Sequence, residues 1–407
     1  MAKSAFHAVI LAVAAAVGGA SFMTVASAAQ AVSAAVAKPL DAANKAIKAG
    51  KLDEAISKLR EVGAVSGKTA NDTYVMNQLL SFALLKQNKF ADAVPVLEAN
   101  LNSGLASGAE KTTINKQLLG IYFSQKNYPK TIEIGQGLIA AGTADNVTYG
   151  AVAQSYEKQG KLGDAVKFVK TRIDGALSKG AKPAENELLL LLDYQRRLKD
   201  DKGQVETFEK LLAYYPKGDY WENLIPPLLR APGNSDPLML GIYRLMLSTN
   251  TLKKAEDYTE MAQLAKEQGS AAEALEVLQK ALSSNVYSEQ RDKDRSLRLL
   301  DAIKKQAAAD QAALGKADAD AKAGKSGDAD VTVGSTYFGL GQYDKAVEAI
   351  KRGIGKGGLT TPEAAQTLLG VALFRQKKSG EADAAFKAVK GDPRWVRVAN
   401  LWAIHAR

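Results

Sequence analysis

The chain has 407 residues, a formal net charge of +10, no cysteine and two histidines, His7 and His405. Without cysteine there is no disulfide, thiol nucleophile or cysteine-held metal, and two histidines near opposite ends leave nothing for a His-centred hydrolase or a multi-histidine metal centre. The apolar content suffices for a buried core, and about 150 residues per domain gives two or three domains or one elongated array.

Lys3 opens a stretch without further charge until Lys38; within it Ala8 to Ala20 is apolar, and Ala26-Ser27-Ala28 has the small-residue A-x-A form. A short positive start, a short apolar run and a small-residue exit predict a cleavable signal peptide over 1–28 and a periplasmic or secreted chain; with no cysteine after it, the chain is not a lipoprotein. The competing reading is a retained anchor, since Ala8 to Ala28 at about 1.5 Å per residue just spans a bilayer. No later run is long and apolar enough to cross a membrane.

Beyond the leader one device recurs. Gly50-Lys-Leu-Asp-Glu-Ala55 and Gly160-Lys-Leu-Gly-Asp-Ala165 read as copies of one interhelix turn, with variants at Asn88 to Ala93, Asn127 to Thr131 and Gly269 to Ala274. Gln204, Phe208, Leu211 and Pro216 read as the second helix of a weaker copy. Apolar residues recur at helical spacing, as in Leu52, Ile56 and Leu59, and the Leu188 to Leu192 run reads as buried helix because charged residues flank it. The fullest copy is Gly334, Tyr337, Gly341, Tyr343 and Ala346, followed by Val347, Ile350 and Ile354. Gly334 leaves room for two helices to cross closely, Gly341 ends the first helix, and Ala346 lets the second approach. From Ala55 to Ala93, Thr131, Ala165 and Gln204 the steps are 38, 38, 34 and 39 residues; from Gln204 to Ala274, Ala346 and Ala382 they are 70, 72 and 36. The two long steps predict a degenerate helix pair in each gap, at 219–249 and 287–323.

This pattern resembles the tetratricopeptide repeat, a helix–turn–helix unit of about 34 residues. The resemblance implies an all-α, right-handed solenoid of stacked pairs, because one hairpin cannot bury its own apolar face. The expected organisation is a signal peptide at 1–28, an N-terminal array at 29–217, a divergent pair at 218–254, a repeat at 255–286, an Ala- and Lys-rich divergent pair at 287–326, repeats at 327–391 and a capping helix at 392–407. In that last helix Pro393 sits in the first turn, and Trp395, Val398, Trp402 and His405 share one stripe, predicting tryptophans that cover the final hairpin.

Chemistry is sparse. Gly324-Lys325-Ser326 lacks the earlier glycine and the preceding strand of a phosphate loop, since position 319 is alanine. Asp318, Asp320, Asp328 and Asp330 lack the bidentate glutamate of a calcium loop. No G-x-S-x-G elbow exists and no internal histidine could activate a serine. No catalytic residue, metal or cofactor is expected.

Two surfaces remain as binding candidates. The family resemblance implies that first helices line a concave groove for a peptide or protein, placing Phe123, Gln154, Asp193, Arg196, Gln263, Ser335, Phe338 and Phe374 toward it; the Lys/Asn carboxylate clamp of some family members is not evident. Separately, residues 345–407 carry 12 Lys or Arg against five Asp or Glu, a contribution of +7. Lys351, Arg352, Lys356, Arg375, Lys377, Lys378, Lys387 and Lys390 supply much of it and mark an alternative surface for anionic lipid, envelope polysaccharide or acidic protein. Export makes nucleic acid an unexpected partner. The reading is thus a non-catalytic scaffold of the cell envelope.

Overall fold

The computed structural model describes residues 32–284 and 286–407, so the expected signal peptide lies outside the described residues. All regular structure among the described residues is helical, and the chain divides into two compact units after Asp200. That boundary falls inside the expected 29–217 array.

The first unit contains α1 (Ala34–Lys48), α2 (Leu52–Ala64), α3 (Ala70–Lys86), α4 (Phe90–Asn102), α5 (Gly108–Ser124), α6 (Tyr128–Ala140), α7 (Asn146–Lys158), α8 (Leu162–Ser178) and α9 (Glu185–Arg197). Each packs against its neighbours in sequence, and first helices of adjacent pairs also meet, α1 on α3 and α5 on α7. The second unit contains α10 (Asp201–Tyr214), α11 (Gly218–Leu229), α12 (Asp236–Ser248), α13 (Ala255–Glu267), α14 (Ala271–Ser283), α15 (Gln290–Ala323), α16 (Gly327–Gly339), α17 (Tyr343–Lys356), α18 (Pro362–Arg375), α19 (Ser379–Lys387) and α20 (Pro393–His405).

One turn geometry builds the pairs. Gly50, Asn88, Lys126, Gly160, Lys199, Asn250, Gly269, Gly341 and Lys377 all sit in the left-handed region, with φ between +57° and +75°. The next residue's N–H reaches back to a carbonyl of the preceding helix, as in Lys51 N to Ala46 O at 2.9 Å and Gln342 N to Tyr337 O at 2.9 Å. This bond satisfies a carbonyl that the helix end would otherwise leave open. Five residues past the left-handed position the second helix touches the first, and Ala55, Ala93, Thr131, Ala165, Ala274, Ala346 and Ala382 are fully buried there. Gln204, at the same step, is only half-buried. At Gly334 an added Cβ would lie 2.5 Å from Ile350 Cγ1, so the close crossing that the sequence predicts requires glycine.

The structure corrects one expected element. Residues 287–323 do not form a helix pair: α15 is a single helix of 34 residues, about 50 Å long. The segment has no proline and no left-handed glycine to reverse it; its one glycine, Gly315, stays helical within an Ala-, Lys- and Asp-rich run. One side is buried, through Ser296, Leu300, Ile303, Ala307, Leu314 and Ala321. The 218–254 segment does contain two helices, α11 and α12.

The C-terminal helix does more than cap the last hairpin. α20 packs on α19 and α18 and also on α12 and α10 of the same unit. Asp392 caps it, accepting from Arg394 N at 2.8 Å, and Trp395, Val398 and Trp402 are buried.

Candidate functional site

In the first unit the wall of first helices is formed by α1, α3, α5, α7 and α9. Polar side chains tie adjacent first helices together: Gln78 Nε2 donates to Glu110 Oε1 at 3.0 Å, and Arg197 contacts Glu157 at 2.7 Å, with Tyr194 donating to Glu157 at 3.4 Å. Of the four groove candidates here, Gln154 is buried, and half-buried Phe123 packs on the Leu119, Leu138 and Ala151 cluster and edge-on to Tyr128 at 6.1 Å. Asp193 is half-exposed and pairs with Arg197 at 3.6 Å, and Arg196 is exposed. Leu189, one turn before Asp193, is 42% exposed, so Leu189, Asp193 and Arg196 form an accessible stripe on α9. Burial lifts the Tyr74 and Tyr122 hydroxyls to about 12, aided by Glu110 and Glu98 respectively. Tyr122 is a neutral donor, to Glu98 at 2.7 Å, and neither hydroxyl offers proton-transfer chemistry near neutral pH.

In the second unit part of the corresponding wall is covered by α20, which packs on α12 and α18. Phe374 lies 6.0 Å from Trp402 and 5.3 Å from His405 on α20. Phe338 is buried beneath Arg244, whose guanidinium is 5.3 Å from the ring and makes a two-point pair with Glu273 at 2.7–2.8 Å. Ser335 is buried, and its carbonyl accepts from Ser270 Oγ at 3.1 Å. Gln263 is exposed and donates to Glu267 at 3.2 Å. Within their units Gln154, Ser335, Phe338 and Phe374 serve packing, Phe123 packs with part of its ring exposed, and Asp193, Arg196 and Gln263 face solvent. The Arg244–Glu273 pair spans 29 residues with no motif, and nothing in the sequence signals it.

The basic set also divides. Arg352 contacts Asp318 at 2.7 Å and fully buried Asp330 at 2.6 Å; Lys356 contacts Asp330 at 2.7 Å and donates to Ala321 O, near the end of α15. Against the expectation of a free cationic face, these two side chains fasten α17 to α15 and α16. Lys387 pairs with Asp383, and Lys351 approaches Glu381 at 3.8 Å. Arg375, Lys377, Lys378 and Lys390 are exposed without an ion pair among the described residues. The compensation is regional: residues 201–344 hold 18 Lys or Arg against 22 Asp or Glu, so the +7 of 345–407 folds against a segment of −4.

The candidate loops serve the fold. Ser326 caps α16 by accepting from Asp328 N at 3.3 Å, and Asp328 accepts from Thr360 N at 3.0 Å. Asp318 holds Lys322 at 2.9 Å as well as Arg352; these cations keep its carboxyl below the usual range although burial opposes them. Among the described residues no group of His, Asp and Glu side chains could hold a metal ion, and no helix is long and apolar enough to cross a membrane.

A family model described as tetratricopeptide repeat matches residues 331–355, the segment whose Gly334–Ile350 crossing and Gly341 turn are described above. Residues 331–355 are a tetratricopeptide repeat. Repeats of this kind generally mediate protein–protein interaction, and their scaffold is typically non-catalytic. Solved structures with similar chains include a tetratricopeptide repeat protein from Parabacteroides merdae, 12% identical, over 83% of this chain and 98% of that one, at a TM-score of 0.32. The pentatricopeptide repeat protein PPR10 from maize is 13% identical over 97% and 65% at 0.32, and the P58(IPK) tetratricopeptide domain 13% over 89% and 96% at 0.23. No curated protein matches in sequence.

Proposed function

We propose that this chain is a non-catalytic interaction scaffold that receives a protein partner on the first-helix side of residues 32–200, and that the leader read over 1–28 directs it to the cell envelope. One observation carries the placement: in residues 201–407 the equivalent side is covered by α20 at α12 and α18, while in the first unit Leu189, Asp193 and Arg196 remain accessible. The alternative, a basic C-terminal surface for anionic lipid or polysaccharide, is weakened because Arg352, Lys356 and Lys387 already hold acids of their own chain.

The test is site-specific photocrosslinking of the full chain in its native cells, with a photoreactive residue replacing Arg196 or, as a comparison, Lys390. The reading expects a defined protein adduct at position 196 and little at 390. Adducts confined to position 390, or none at either, would overturn it. Fractionation of the same cells tests the location; recovery with cytoplasmic markers would contradict export.

A further inference from the structure

The charge of the first unit is arranged, and the helix ends show how. In residues 32–200 there are 23 Lys or Arg against 17 Asp or Glu, a net of +6. The last turns of first helices are basic at Lys48 of α1, Lys86 of α3, Lys158 of α7 and Arg196 of α9, and Lys126 stands two residues beyond α5. No second helix of the unit, α2, α4, α6 or α8, has a basic residue in its last turn. Complementing the helix dipole would favour cations at both kinds of C-terminus equally. Past the second helices Lys68 donates to Gly63 O of α2 and Lys179 follows α8, so a bias toward first helices, not a restriction to them, marks one edge of the unit, where the interhelix turns lie.

Those turns are neighbours. Lys89 of the second turn contacts Asp53 of the first at 3.1 Å, and Arg197 at the end of α9 contacts Glu157 at the end of α7 at 2.7 Å. Helices in contact lie about 8–10 Å apart, so where first helices meet, α1 on α3 and α5 on α7, successive cations stand about 10 Å apart along this edge. Most acids on this edge are already matched, Asp53 by Lys89, Glu54 by Lys51, Asp92 by Arg60 and Glu157 by Arg197, at 2.7–3.8 Å, and Asp164 is the exception. Lys48, Lys86, Lys126, Lys158 and Arg196 are exposed and have no ion pair among the described residues.

We propose that this turn edge is a docking row for an acidic polypeptide segment lying across the repeats. The inference rests on the scaffold reading and names the partner's chemistry. Four of the five stations are lysines, point charges suited to successive carboxylates rather than to the planar two-point recognition of phosphate that arginine gives. Half-buried rings accompany two of them: Lys86 lies over Phe82 at 5.7 Å, and Phe123 stands three residues before Lys126. A partner that uses both must carry apolar side chains among its acids, which a polypeptide has and a polyuronate lacks.

The test uses the full chain and three probes: a random glutamate–tyrosine copolymer, polygalacturonate, and vesicles containing phosphatidylglycerol. The variant K48Q/K86Q/K126Q/K158Q/R196Q removes the row, K377Q/K378Q/K387Q/K390Q removes the same sort of charge elsewhere, and circular dichroism checks that both fold. At low salt the row variant is expected to bind the copolymer at least about tenfold more weakly, because charges about 10 Å apart act together when the Debye length is comparable. The C-terminal variant is expected to stay within about twofold of the native chain, and polygalacturonate and vesicles to bind more weakly than the copolymer. Equal loss in both variants, no loss in the row variant, or tighter binding of polygalacturonate or vesicles would overturn the proposal. The scaffold reading is tested separately: with the photoreactive residue at position 196 of the K48Q/K86Q/K126Q/K158Q chain, a crosslinked partner that survives retains the scaffold and removes the row.

Discussion

Replacing Trp402 by alanine tests whether α20 is an integral part of the second unit. The indole is 1% exposed, stacks on Phe386 with 5.9 Å between centroids and a 14° interplanar angle, and meets Phe374 edge-on; its N–H points to Gly241 O at 3.4 Å. A buried aromatic removes about 150–250 Å² from water, worth roughly 4–6 kcal/mol at about 25 cal/mol per Å², part of which alanine keeps. Truncations of this kind cost about 3–5 kcal/mol with the cavity included. In a unit of roughly 200 residues that lowers the melting temperature by about 6–20 °C. The chain's three tryptophans, Trp221, Trp395 and Trp402, are all in this unit, and Trp221 lies 5.9 Å from His405 on α20. Tryptophan emission during denaturant unfolding therefore reports on this packing, with Trp221 and Trp395 remaining as probes in the variant. A loss below about 1 kcal/mol would refute the claim that α20 is core and would make the second-unit groove accessible.

Gly334→Ala places a Cβ against Ile350 and 3.3 Å from the Ala346 carbonyl, so overpacking of about 1–3 kcal/mol outweighs the helix propensity gained, whereas Gly315→Ala, in open space on α15, gains about 0.8–1 kcal/mol; thermal melts should move in opposite directions. Lys377→Gly relieves a left-handed backbone at φ +63° and should stabilise by about 1 kcal/mol in denaturant titration. Burial lowers the pKa of His405, with the bond to Ser248 opposing; the folded state thus prefers neutral imidazole, and its contribution is present above about pH 6.5 and lost as pH falls through the lower folded value. Native-state tryptophan emission and denaturant midpoints should show this acid-side loss, and H405Q should flatten that part of the profile.

Much of the fold is legible in the sequence because the repeat is enforced by small, local constraints. A left-handed turn admits few residues cheaply, and five residues later the helices meet too closely for a large side chain; Gly50 with Ala55 and Gly341 with Ala346 show both. Lys126, Lys199 and Lys377 hide the same turn, since lysine is an unexpected occupant of that backbone region. The continuity of α15 is less legible: a gap of 72 residues is compatible with two helices or one long one, and only the missing turn residue decides. The groove was least legible. Repeat position identifies the side of α18 that Phe374 occupies, but sequence distance conceals that Trp402 and His405 return to cover it, and that Asp318 and Asp330 hold the arginine and lysine that read as free charge.

The most direct measurement is hydrogen exchange by mass spectrometry on the full chain, with and without the glutamate–tyrosine copolymer. The account predicts added protection in peptides covering 44–51, 82–89, 122–127, 156–161 and 193–199, with no change in 362–407. Added protection confined to 362–407 would contradict it, placing the binding surface on the unit whose own C-terminal helix covers part of its first-helix side.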